Sequence, residues 1–140
     1  MMNKDFVSTL LLCGLFLCHG CGGIGFAYQQ KLPGKFGLVA CDTRTQMSLC
    51  EMLPGGSASG IIRETVFAVG WNDDFILAER HPSAGSAPYV INRSVTEFYI
   101  LTVATGKVVG PLDADGFDKQ RAVLGVPKGL AFSLVFNDLQ

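Results

Sequence analysis

The 140-residue sequence is short of charge: eleven Lys and Arg stand against twelve Asp and Glu, a formal net charge of −1. Nucleic-acid binding draws on clustered Lys and Arg that neutralise phosphates. A near-neutral chain with few charges offers no electrostatic reason for it, so no nucleic acid is expected as a partner. Histidine is scarce too, with His19 and His81 alone. Zinc sites need Cys and His at close, characteristic spacings, and Cys41 and Cys50 lie far from His81 in sequence. No metal is expected. A long hydrophobic run is also missing. The apolar stretch 6–18 falls short of the roughly 20 residues that a membrane-spanning helix requires.

Motifs that cradle cofactors are lacking as well. Thr105-Gly106-Lys107 is followed by Val108 where a phosphate-binding loop needs Ser or Thr. The acidic stretch 113–118 has its glycine, Gly116, in fourth place, whereas a calcium-binding EF-hand needs it sixth. Ser57 and Ser59 sit in a glycine-rich stretch without the second glycine of a nucleophile elbow. No cofactor and no catalytic set are expected, and the chain reads as a non-enzyme. His81 acting as the base of a small hydrolase is retained as a minor alternative.

What is present begins at the N-terminus. Lys4 precedes the apolar run 6–18, which leads at once into His19-Gly20-Cys21-Gly22-Gly23. A short apolar core followed by small residues is the layout of an export signal. Gly20 supplies the small residue before Cys21 that lipoprotein processing wants, although Cys18 stands where that pattern usually has Leu. Cleavage there makes residues 1–20 a signal peptide, Cys21 a lipidated N-terminus, 21–34 a tether and 35–140 a single domain. About 120 residues remain, enough for one compact core and too few for two. The rival exit is Gly25-Phe26-Ala27, a small-x-small site whose cleavage gives a soluble periplasmic or secreted chain starting at Tyr28. Gly22 rather than Asp after the cysteine favours the outer membrane if the host has one.

Cys41 and Cys50 are the cysteines left outside the export segment. In an oxidising compartment they form a disulfide if residues 41–50 fold as a hairpin centred on Thr45-Gln46. Two buried thiols in separate strands are the alternative.

Seventeen glycines and six prolines scattered along the chain mark many turns, as short strands demand. Residues 54–60 read as a loop. Residues 61–70 and 75–78 read as strands around a turn at Asn72-Asp73. Residues 98–103 and 107–109 form a second hairpin through Thr105-Gly106, and 130–136 a last strand. One helix has full punctuation. Asp113 caps it, Asp115 and Asp118 suit its positive end, Leu112 staples onto Phe117, Arg121 lies in the last turn, and Gly125 and Pro127 end it. The fold class is therefore mainly β (α+β): a small antiparallel sheet or meander of roughly six to eight strands with one short C-terminal helix. Trp71, Asn72 and Asp73 at the first hairpin tip are the candidate contact surface.

The sequence Gly70-Trp71-Asn72-Asp73-Asp74-Phe75-Ile76, then Thr105-Gly106-Lys107-Val108-Val109-Gly110-Pro111-Leu112, then Leu124-Gly125-Val126-Pro127, resembles an uncharacterised family of small bacterial lipoproteins carrying a domain of unknown function. The likeness spans about residues 61–127 and departs at 92–97, where the connection is longer. The resemblance implies a β-rich lipoprotein domain and brings no activity or catalytic residue. The expected protein is a membrane-anchored extracytoplasmic lipoprotein whose domain binds a partner protein or scaffolds. A secreted or periplasmic inhibitor or immunity-type protein, acting through an exposed hairpin or loop, is the alternative.

Overall fold

The computed structural model describes residues 25–85 and 90–140. Among them nine strands build two antiparallel sheets. Strands β1 (Tyr28–Lys31), β2 (Phe36–Ala40), β3 (Ser48–Met52) and β4 (Ala58–Ile62) form the first, a simple meander. Strands β5 (Val66–Trp71), β6 (Phe75–Arg80), β7 (Glu97–Thr102), β8 (Lys107–Leu112) and β9 (Leu134–Val135) form the second, in the order β8-β7-β6-β5-β9. Helix α1 (Ala114–Leu124) lies between β8 and β9 in the chain. The mainly β class and the short late helix stand, with two sheets in place of one.

The main core lies between the sheets. Phe36, Leu38, Met47, Leu49 and Ile62 from the first meet Val66, Ala68, Ile76, Ala78 and Leu101 from the second. Each such side chain contributes roughly 1.5–3 kcal/mol by leaving water. A smaller core on the outer face of the second sheet joins Leu77 and Ile100 to Phe117 of α1 and Val126 just beyond it.

The helix forms as its punctuation dictates. Asp113 Oδ1 accepts the Gly116 N–H at 2.7 Å, and Gly125 closes the last turn at φ 72°. One Arg121 nitrogen donates to the Pro127 and Leu130 carbonyls at 3.0 and 2.6 Å, folding the exit segment back across the sheet.

Three local readings need correction. Residues 61–70 are not one strand: β4 ends at Ile62 in the first sheet and β5 starts at Val66 in the second, so the chain changes sheets at 63–65. The uninterrupted run of β-formers hid the switch, which falls at the charged pair Arg63-Glu64. The stretch read as tether already contains β1, and Ala27 N–H donates to the Cys41 carbonyl at 2.9 Å. Of the expected strand 130–136 only Leu134–Val135 pairs, with Val69 and Ala68 of β5. Just before it the backbone runs so close to Gly70 that any Cβ there would collide with the Ala131 carbonyl.

Candidate functional site

Alternation along β6 sends Phe75, Leu77 and Glu79 to the outer face of the second sheet, with Ile76, Ala78 and Arg80 facing inward. Leu77 is covered by α1 and its exit segment. That cover stops short, and the same face runs on through Glu79 to His81. Phe98 pairs directly across from Glu79 on β7. The result is an open hollow of about 340 Å³ lined by Phe67, Glu79, His81, Phe98, Arg93 and Thr96, with Gln140 at its rim.

His81 is the best-fixed member of this set. Although it precedes Pro82 beyond the end of β6, it is 5% exposed. The cause is local: Thr65 and His81 exchange two backbone hydrogen bonds of 3.0 Å, extending the β5–β6 ladder past its named ends. The imidazole stacks on Phe67 with centroids 4.3 Å apart. Its Nδ1 lies 2.8 Å from the Val95 carbonyl. A carbonyl only accepts, so Nδ1 carries the proton and the neutral ring keeps its lone pair on Nε2. No partner for Nε2 occurs among the described residues.

Glu79 is half-buried, and burial raises its carboxyl above the ordinary glutamate range. Among the described residues the ion pairs are Lys35–Glu51, Arg44–Asp138 and Arg80–Glu97, and none involves Glu79. Arg93 is engaged elsewhere: its Nε donates to the Gln140 main-chain oxygen at 2.8 Å and an Nη to the Asp138 carbonyl at 3.4 Å. It thereby pins residues 138–140 as one wall of the hollow.

A second polar group buttresses the same strands from the inner face. Arg80 Nε meets Glu97 Oε2 at 2.7 Å, and Tyr99 Oη donates to that oxygen at 2.8 Å. Burial, and then the hydrogen bond to Glu97, push the Tyr99 phenol up to about 12.

The arrangement presents two acceptors, the Glu79 carboxylate and His81 Nε2, between aromatic walls. Among the described residues it does not assemble a serine nucleophile. Ser57 and Ser59 lie in the β3–β4 loop and on β4, in the other sheet, and the hydroxyl lining the hollow is that of Thr96. No group of three or more His, Cys, Asp or Glu side chains suited to a shared metal ion occurs among the described residues.

The residues singled out in the sequence are spread elsewhere. Cys21 lies outside the described residues. Cys41 and Cys50 are free thiols, the first exposed and the second buried, and the expected disulfide is not formed. Gln46 Oε1 accepts the backbone N–H groups of Asp42 and Thr43 at 2.8 and 3.3 Å, fixing a 3-10 turn at Arg44–Gln46. The pairs Val39↔Ser48 and Gly37↔Cys50 centre the hairpin between Thr43 and Arg44, two residues earlier than expected. Cys50 therefore faces Gly37, four positions from Cys41. At about 3.3 Å per residue that is about 13 Å along the strand, well beyond the roughly 7 Å limit for bridged Cα atoms.

At the first hairpin tip Asn72 Oδ1 accepts from Asp74 and Phe75 N–H at 3.0 and 2.8 Å. Trp71 is half-buried against the main core and Asp73 is exposed, so this tip is a rigid turn with a small exposed end. Sequence reasoning missed Glu79, Phe98 and Arg93 as a set. One signal was available: Glu79 continues the Phe75, Leu77 alternation, putting a carboxylate in phase with an apolar face.

Fold and hollow together define a small two-sheet antiparallel β domain with a helix over part of one outer face. Over residues 33–138 the chain matches the family described as "Protein of unknown function (DUF3997)", and it belongs to that family. The match takes in every strand after β1, well beyond the 61–127 stretch that carried the resemblance. No curated protein and no solved structure matches the chain.

Proposed function

We propose that the chain is a membrane-anchored extracytoplasmic lipoprotein whose β domain is a non-catalytic binding module, with the hollow at Glu79 and His81 as its binding face. The observation that carries the binding role is the half-covered outer face of the second sheet. A face that only had to be stable would be closed by apolar residues throughout, as it is beneath α1. Here it runs out into a carboxylate and an imidazole Nε2 without hydrogen-bond partners among the described residues, which is the composition of a ligand site rather than a core.

Anchoring rests on the leader-like segment and Cys21. No helix among the described residues is long and apolar enough to cross a membrane. A lipid-modified cysteine with two or more acyl chains holds a protein stably to a bilayer. Because β1 starts at Tyr28, the span from Cys21 to the domain is short, reaching about 20 Å when fully extended. The domain would thus stand close to the membrane surface. Ala27 N–H already belongs to the first sheet, so cleavage after Ala27 would cut at the edge of folded structure, whereas cleavage before Cys21 spares it.

Fractionation of cells expressing the chain and its Cys21→Ser variant tests the anchor. The parent should sediment with membranes and carry acyl mass on Cys21, and the variant should lose both. A parent that is soluble and begins at Tyr28 would overturn anchoring and leave the soluble alternative.

A further inference from the structure

Resting on the reading of the hollow as the binding face, we propose that its ligand is a primary alkylammonium group, a charged amine on an apolar stem supplied by a free amine or by a lysine side chain of a protein. Glu79 and His81 stand two residues apart on one face of one extended segment, so their Cβ atoms lie about 7 Å apart. A group small enough to sit between them can reach both. What they offer is acceptance: a carboxylate, and an imidazole nitrogen whose lone pair is left free because Nδ1–H is committed to the Val95 carbonyl. An ammonium is the complementary group, with three donors, no acceptor and a positive charge.

The charges around Glu79 point the same way. From its own strand it faces His81, from the connection to β7 Arg93, while β5 and β7 present Phe67 and Phe98. Among the described residues Arg93 is the permanent cation lining the hollow, and its Nε and one Nη donate to main-chain oxygens of Gln140 and Asp138. Burial raises the carboxyl above its usual range, and no ion pair among the described residues involves it. A ligand carboxylate or phosphate would add a second negative charge beside Glu79.

The walls suit the stem. One face of Phe67 is taken by the His81 ring and one face of Phe98 by Phe117, with centroids 4.3 and 5.0 Å apart. Phe98, the partly exposed ring of the two, therefore packs a hydrocarbon chain better than it stabilises a cation by the face, and the charge falls to Glu79. About 340 Å³ admits a short chain and its head group.

The test uses the full-length chain in non-ionic maltoside micelles, following the NMR signals of Glu79 and His81. The probes are putrescine for a free amine and Nα-acetyl-lysine methylamide for a protein lysine. Butanediol, Nα-acetyl-norleucine methylamide and succinate serve as uncharged and anionic counterparts. One or both amines should perturb the hollow, whichever does so identifying the source, and each should bind about tenfold or more tighter than its uncharged counterpart. Glu79→Gln, with a folded spectrum, should weaken amine binding by about tenfold. Equal binding of amine and uncharged counterpart, or amine binding indifferent to Glu79→Gln, overturns the proposal. If succinate or an uncharged probe alone perturbs the hollow, the ammonium assignment falls and the binding face stands. If no probe does, both fall.

Discussion

The His81 imidazole lies against the Phe67 ring, 20° from parallel, while its Nδ1 meets the Val95 carbonyl at 2.8 Å. These contacts separate the two jobs of one side chain. The stack helps line the hollow, and the hydrogen bond orients the ring and leaves Nε2 without a partner among the described residues. His81→Phe retains the stack and deprives the Val95 carbonyl of its donor. Urea unfolding should show a loss of about 0.5–1.5 kcal/mol, the net worth of a part-buried hydrogen bond. An unchanged midpoint would mean that the bond orients nothing.

On the inner face of the same strands, Glu97 Oε2 receives both Arg80 and Tyr99. Tyr99 should stay protonated until about pH 12, visible as a late phenolate step in an ultraviolet titration. The sign of the linkage follows. A tyrosine whose folded pKa exceeds its unfolded value of 10 binds more protons when folded, so stability is lost as pH climbs from 10 through about 12. Glu97→Gln should bring that step to lower pH and cost about 2 kcal/mol at neutral pH, as expected for a hydrogen bond to a charged group.

The cysteines give an independent check on the register of the first sheet. Burial, with smaller contributions from Cys41 and Glu64, pushes the Cys50 thiol up to about 11, leaving little thiolate at neutral pH. Native alkylation followed by peptide mapping should label exposed Cys41 and spare Cys50 until the protein unfolds. A reductant should leave the melting temperature unchanged. Recovery of a Cys41–Cys50 cross-linked peptide from the native protein would contradict the register set by Gln46.

How far these features could be read in advance depended on how local their causes are. The helix was legible from end to end because Asp113, Leu112, Arg121 and Gly125 act on neighbours within a few residues. The two β-hairpins were legible in position for the same reason, although the first turns at Asp73-Asp74, one residue later than the Asn72-Asp73 read from sequence. The change of sheet at 63–65 was not, because 61–70 keep strand character throughout and nothing local says which sheet each half joins. The Cys50 register escaped because a glutamine side chain moved the turn centre by two residues, which moves the pairing by four. The hollow escaped almost wholly. Its walls come from β5, β6, the connection to β7, β7 itself and residue 140, and only the tertiary fold brings Arg93 to Gln140.

The claim on which the site depends is that Glu79 stands half out of water beside His81 with no ion-pair partner among the described residues. Carbon-13 NMR of the Glu79 side-chain carboxyl across an acid titration of the folded protein measures this directly. The midpoint should lie above the ordinary glutamate value of 4.5. Since the folded form then binds the proton more tightly, stability should fall as pH rises through that midpoint, and Glu79→Gln should remove the fall. A midpoint at or below 4.5 would mean that Glu79 is solvated or already paired, and the hollow would lose its standing as a binding face.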